Sequence, residues 1–182
     1  MAENMGLDKF IGNFRGGARA NRFKVELNYP VAGPNIEDYI VVAAAQLPAS
    51  IMGVAHAQFM GRFIPIPGDR TFDDWTITVL NDTTFSHRNA FERWSEAILA
   101  NQQNFQGTAN YRSMTAPLNV HQLDRQGNRI KSFTLWHAWP TVISAIDLAY
   151  DQNDAIETYS VTFAYAHWSS DTSPGESFGP GF

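Results

Sequence analysis

The chain contains no cysteine among its 182 residues. That absence excludes a disulfide framework, a thiolate nucleophile and any zinc site built on sulfur ligands. Charge is scarce as well: Asp, Glu, Lys and Arg make up 17% of the chain, against about 25% in an ordinary soluble domain. A surface so thinly charged suits a subunit whose neighbours cover part of it. The scarcity is uneven. No Lys or Arg follows Lys131, whereas Asp147, Asp151, Asp154, Glu157, Asp171 and Glu176 all lie beyond it. At the other end Lys9, Arg15, Arg19, Arg22 and Lys24 outnumber Glu3 and Asp8. A subunit basic at its start and acidic at its end is polarised for head-to-tail stacking, although two ordinary solvated faces would give the same pattern. The net charge of -5 argues against a protein that wraps nucleic acid. No apolar run approaches the roughly 18 residues of a membrane span, and Met1 to Gly6 lacks the basic start of a signal peptide, so no membrane span and a cytoplasmic assembly stage are expected.

What is present reads as strands. Residues 1–20 form an arm in which Leu7, Phe10, Ile11 and Phe14 recur at helical spacing before Gly16-Gly17. Such a short helix must dock on its own or a neighbouring subunit. From Arg22 the period becomes two: Phe23, Val25, Leu27 and Tyr29 alternate with polar residues until Pro30. Residues 38–46 read as a buried strand. Residues 49–67 are apolar with Arg62 as the main charge, and read as a long hairpin or a loop that reaches away from the body. Thr84 to Gln102 is the one convincing helix, capped by Asp82, Thr83 or Thr84, with His87, Phe91, Trp94, Ala97 and Ile98 as its apolar stripe. A polar link, 103–113, leads to a hairpin of 116–123 and 129–137 around Asp124-Arg125-Gln126-Gly127. Two further strands, 141–150 and 156–168, flank the turn 151–154. The expected domain spans 21–168, and the Ser-, Gly- and Pro-rich stretch 169–182 reads as a flexible extension with Phe178 and Phe182 as isolated aromatics. Seven or eight strands and one helix predict a mainly β fold, a sandwich or barrel with a flanking α-helix.

Catalytic chemistry finds no footing. The five histidines, His56, His87, His121, His137 and His167, have no metal-ligand spacing, although the last three could meet across strands. There is no nucleophile elbow and no phosphate-binding glycine loop. Asp69, Asp73, Asp74 and Asp82 match no calcium loop and have Arg70 among them, which favours turn capping and ion pairing. No cofactor is expected.

The segment from Gly68 to Asp82 is the most specific part of the chain. Gly68 and Asp69 read as opening a turn, Arg70 as pairing with nearby carboxylates, and Trp75, Ile77 and Val79 as one face of a strand whose other face is Thr76 and Thr78. With Phe72 and Asp74, this segment resembles the corresponding stretch of tail tube proteins from contractile-tailed phages. Leu135 to Thr141, containing Trp139-Pro140, together with 146–148 and 156–163, is similar to the Trp-Pro turn and closing strands of that family, and Ala44 to Pro48 to the loop before its extended hairpin. The likeness runs from about Phe23 to Trp168.

The resemblance implies a subunit that closes into a homo-hexameric ring, with stacked rings forming a hollow tube in a contractile tail. It implies no catalysis. Implied partners are the sheath, tape-measure, baseplate and tail-terminator proteins, with double-stranded DNA passing non-specifically through the lumen, and a location in the virion. Contacts between subunits or rings are expected at Phe10, Phe14, Leu47, Ile51, Met52, Phe59, Met60 and Phe63. Lumen-facing acidic residues are expected at Asp147, Asp151 and Glu157, because a negative wall repels phosphates. A tube of a related injection machine, such as a tailocin or secretion system, and a monomeric ligand-binding β-barrel remain as alternatives.

Overall fold

In a computed structural model of the chain, the described residues are 7–14, 17–31, 33–34, 41–100, 105–106, 110–151 and 155–172. The expectations for Gly16, for 35–40 and for the extension beyond Thr172 fall outside them. Among the described residues, eleven strands and three helices follow one another. They are α1 (Leu7–Phe14), β1 (Phe23–Leu27), β2 (Val42–Ala45), β3 (Ile51–Phe59), β4 (Arg62–Thr71), β5 (Trp75–Leu80), α2 (Ser86–Ile98), β6 (Leu99–Ala100), β7 (Phe105–Gln106), α3 (Tyr111–Met114), β8 (Ala116–Leu123), β9 (Arg129–Ile143), β10 (Thr158–Ala164) and β11 (His167–Ser170).

Seven strands form one antiparallel sheet in the order β1-β8-β9-β10-β5-β2, with β11 also on β9. The organising element is β9. Its first part pairs with β8 and β11, and its last part, from Trp139, pairs with β10. Between these parts the register slips, Ala116 facing Ala138 while Leu118 faces Leu135, so that Trp136 and His137 bulge out and His137 takes a φ of 57°. Opposite the bulge, Tyr165 and Ala166 interrupt the run from β10 to β11, and the Ala166 N–H donates to the Trp136 carbonyl at 3.0 Å. Bulge and interruption together fold one sheet into two facing halves.

The core lies between those halves. Val25, Leu118, Val120 and Leu135 come from one side, and Trp75, Ile77, Val79, Val161 and Phe163 from the other, all in a single buried cluster. Alternation explains the choice: in β5 every odd residue is buried and every even one is partly exposed. Helix α2 covers the cluster with Ala90, Phe91 and Trp94. The Phe163 ring meets Trp75, Phe91 and Trp94 at centroid distances of 5.7–6.1 Å, and the Trp94 indole N–H donates to the Met114 carbonyl at 2.7 Å. The fold is mainly β with a flanking helix, as the sequence predicts.

Several expectations need correction. The Trp139-Pro140 pair is not a turn, because both residues lie within β9 opposite Ala164 and Phe163. The expected strand 141–150 stops at Ile143, and the expected strand 156–168 is two strands with a break. The link 103–113 contains a short strand and the α3 turn. In α2 it is Ala90 that is buried, while Ala97 is exposed. The helix begins at Ser86, after Phe85 in a left-handed conformation, yet Asp82 does serve its end: its carboxylate accepts from the Ser86 N–H at 3.0 Å. Strand β11 continues through Ser170, beyond the boundary placed at Trp168.

Candidate functional site

Among the described residues the most conspicuous features are exposed surfaces. The most distinctive is the two-stranded ribbon of β3 and β4, paired from Ile51↔Thr71 to Phe59↔Arg62. Neither face is covered. Ile51, Met52, Phe59, Met60 and Phe63 are all exposed, Met60 at 89%, and Leu47 just before the ribbon is exposed too. The tip turns through Met60 and Gly61, with φ of 47° and 77°, the left-handed pair that a tight two-residue hairpin requires. An isolated two-stranded ribbon is marginal in water, and a bare apolar one is a demand for a partner.

At the ribbon's base the signature residues take different places from those expected. Gly68, Asp69 and Arg70 do not open a turn; they are the last part of β4, and residues 72–74 link it to β5 without regular structure. Gly68 is required for another reason. It lies against Gly53, and a Cβ on it would stand 3.1 Å from the Gly53 carbonyl group. Arg70 faces Met52 across the ribbon, and no carboxylate among the described residues pairs with it; the ribbon carries its side chain away from the aspartates of that link. Asp69 and Asp74 are exposed. Phe72 packs on Tyr165 at 5.8 Å, whose hydroxyl is pushed up in pKa by burial and by Asp73 and Asp74. Trp75 is buried, and its indole N–H donates to the Gln46 carbonyl at 2.6 Å. Trp139 is half-buried and Pro140 buried.

The arm contributes Phe10 and Phe14, exposed on α1 with their rings stacked at 5.2 Å. Of the acidic candidates, Asp147 and Asp151 are exposed in the segment after β9. Glu157 is not free to face a channel in the same way. It is half-buried, and its carboxylate accepts from the Asn81 side-chain amide at 2.7 Å.

The histidines divide. His121 accepts or donates to Ser132 at 2.8 Å and stands 3.4 Å from Glu26, whereas His137 and His167 approach to 6.4 Å between rings beside Trp136 and Tyr111. Among the described residues no three His, Cys, Asp or Glu side chains are placed to hold a metal ion. Sequence reasoning missed two groupings. One is Glu26, which draws in Lys24 at 2.9 Å and Arg129 at 3.5 Å as well as His121; the Lys24 hydrogen bond comes first among the causes that lower its pKa. The other is Trp136 beside the His137–His167 pair, whose meeting across strands the sequence allowed; His121 stands apart from them. Among the described residues no helix is long and apolar enough to cross a membrane.

Comparison with known proteins agrees with this picture. Residues 18–171 match the family model described as phage tail tube protein. The chain is 36% identical over 152 residues to the tail tube protein gp19 of Enterobacteria phage T4, covering 83% of this chain and 90% of that one. It is 27% identical to the tail tube protein of Serratia phage KSP90, over 87% and 93% of the two chains. Among solved structures, the fold is similar to a chain of the sheath/tube terminator of an extracellular contractile injection system, with a TM-score of 0.63, 13% identity and coverage of 84% and 94%. It is equally similar to a chain of the anti-feeding prophage baseplate, with a TM-score of 0.61 at the same identity and coverage. The family match over residues 18–171 and the sequence identity along most of the length lead to one conclusion: the chain belongs to the phage tail tube protein family.

Proposed function

We propose that the protein polymerises as stacked hexameric rings into the inner tube of a contractile tail and forms the conduit for DNA ejection. As a tail tube protein it is structural and not an enzyme. The observation that carries the reading is the uncovered ribbon Ile51–Thr71, together with β1 and β2 as the outermost strands of the sheet among the described residues. Edge strands carry a row of unpaired N–H and C=O groups. Pairing them between neighbours would close a continuous lumen wall, and a heterologous contact between ring faces would repeat without limit. The ribbon, with Leu47, Ile51, Met52, Phe59, Met60 and Phe63, is the proposed contact between rings; Phe10 and Phe14 of the arm, residues 1–20, are a second. Residues 21–168 are the proposed tube domain.

Asp147 and Asp151 are proposed lumen or ring-face acids. Glu157 is retained only in a structural role beside Asn81. Sheath, baseplate, tape-measure and terminator proteins are the proposed partners, with the virion as final location and the host cytoplasm as the place of assembly. The identity to phage proteins favours this over a tube of a related injection machine, for which the fold similarity alone speaks.

Electron microscopy of the purified protein tests the reading. Hollow tubes or six-fold rings are expected; a monodisperse monomer at all concentrations would overturn it.

A further inference from the structure

The uneven charge of the sequence acquires a geometry in the fold. A cleft of 670 Å³ opens where the segment after α1 meets the β8–β9 turn. Its apolar walls include Phe14, Leu123 and Ile130, and three exposed arginines, Arg19, Arg22 and Arg125, line it. Among the described residues none of the three guanidinium groups has an ion-pair or hydrogen-bond partner. Asp124 is close by, but its carboxylate is taken up by the N–H groups of Gln126 at 2.7 Å and Asn128 at 2.8 Å. Three guanidinium groups against the one Asp124 carboxylate leave the cleft net positive.

The complementary chemistry sits at the other end of β9. After that strand and the link Ser144-Ala145-Ile146 comes Asp147-Leu148-Ala149-Tyr150-Asp151, with Leu148 78% exposed and Tyr150 wholly so. Both aspartates are exposed, and among the described residues neither has an ion-pair partner. Two carboxylates flank two bare apolar side chains, as three guanidinium groups flank apolar walls. The two features do not meet within one molecule: none of the residues 147–151 lines the cleft, which Ile130 at the start of β9 borders, while the acidic segment follows the other end of that strand at Ile143.

We propose that the Asp147–Asp151 segment of one copy docks in the Arg19–Arg22–Arg125 cleft of the next, a heterologous head-to-tail contact. The inference rests on the tube reading for its partner, a second copy of this chain. Apolar burial of Tyr150 and Leu148 supplies cohesion, and the charges set register and direction.

A reciprocal charge swap tests it. One variant carries Arg19→Glu and Arg125→Glu; the other carries Asp147→Arg and Asp151→Arg. All four positions are exposed, and melting temperatures within a few degrees of wild type confirm that each variant folds. Alone, each variant juxtaposes like charges, and its associated fraction in sedimentation velocity should fall at least tenfold. Mixed in equal amounts, the two restore opposite charges at every contact, and association should return to at least half the wild-type level. Wild-type-like assembly of either variant alone, or no recovery in the mixture, overturns the proposal. A wild type that associates without forming tubes counts against the tube and not against this contact, whereas tubes indifferent to the swap count against this contact alone. Because the chain has no cysteine, a direct check is available: Arg125→Cys mixed with Asp151→Cys should yield an intermolecular disulfide, and Arg93→Cys in place of Arg125→Cys should not.

Discussion

Phe163 shows how one residue joins the layers of this fold. It is fully buried, and its ring contacts Trp75 on β5 and both Phe91 and Trp94 on α2. Removing the ring deletes apolar burial and leaves a cavity whose aromatic walls cannot collapse onto one another. Phe163→Ala should therefore cost about 3–5 kcal/mol, read by urea unfolding of the monomer.

Asp82 acts through hydrogen bonds instead. Burial raises its pKa, but bonds from Thr84 and from the N–H and hydroxyl of Ser86 outweigh that and leave it below the usual value of 3.8. A carboxyl whose folded pKa is depressed stabilises above its unfolded pKa and loses that contribution as pH falls through the folded one. Asp82→Ala should thus cost about 1 kcal/mol at pH 7, and the gap between the two proteins should close as the pH is taken below the ordinary carboxylate range. A gap that stays constant with pH would assign the effect to packing.

Among the elements, the β3–β4 ribbon and β9 carry the argument. The ribbon's side chains touch little of their own subunit, so replacing two of them should leave stability nearly unchanged, within about 0.5 kcal/mol for exposed positions. Phe59→Asp with Phe63→Asp should melt like dilute, unassembled wild type and fail to form tubes in electron micrographs. Tubes of normal appearance from this variant would remove the ribbon from the ring-to-ring contact.

How legible these elements were depends on whether local pattern decided them. The ribbon's apolar, nearly uncharged run predicts a hairpin or projecting loop, and Val25, Ile77 and Phe163 follow from simple alternation. Strand β9 was not legible as one strand beyond His137, because the family resemblance put a turn at Trp139-Pro140. Only pairing with β10 on one side and the two-residue bulge at Trp136 and His137 make it continuous. Gly68 was misread for a similar reason: its neighbour Gly53 is fifteen residues away in sequence and meets it only across the ribbon.

For the whole molecule, stability and assembly should be linked. Anything that binds the folded subunit and not the unfolded chain raises apparent stability by mass action. The melting temperature should therefore rise with protein concentration, by about 2–4 °C for each kcal/mol of contact energy in a domain of this size. In the ribbon variant this dependence should vanish. Differential scanning calorimetry across a hundredfold range of concentration checks both; a wild-type melting point independent of concentration would mean that contacts between subunits contribute nothing to it.

The sequence by itself determined the alternating strands, the amphipathic helix and the family, since each depends on neighbours along the chain or on a run of residues read in order. It also carried the charge asymmetry, but not its meaning. Only the tertiary structure decided that Glu157 is held by Asn81, that β9 bends one sheet around one core, and that three arginines gather at one end of β9 while Asp147 and Asp151 stand at the other. Those are relations between residues far apart in sequence, set by strand pairing and by the bulge.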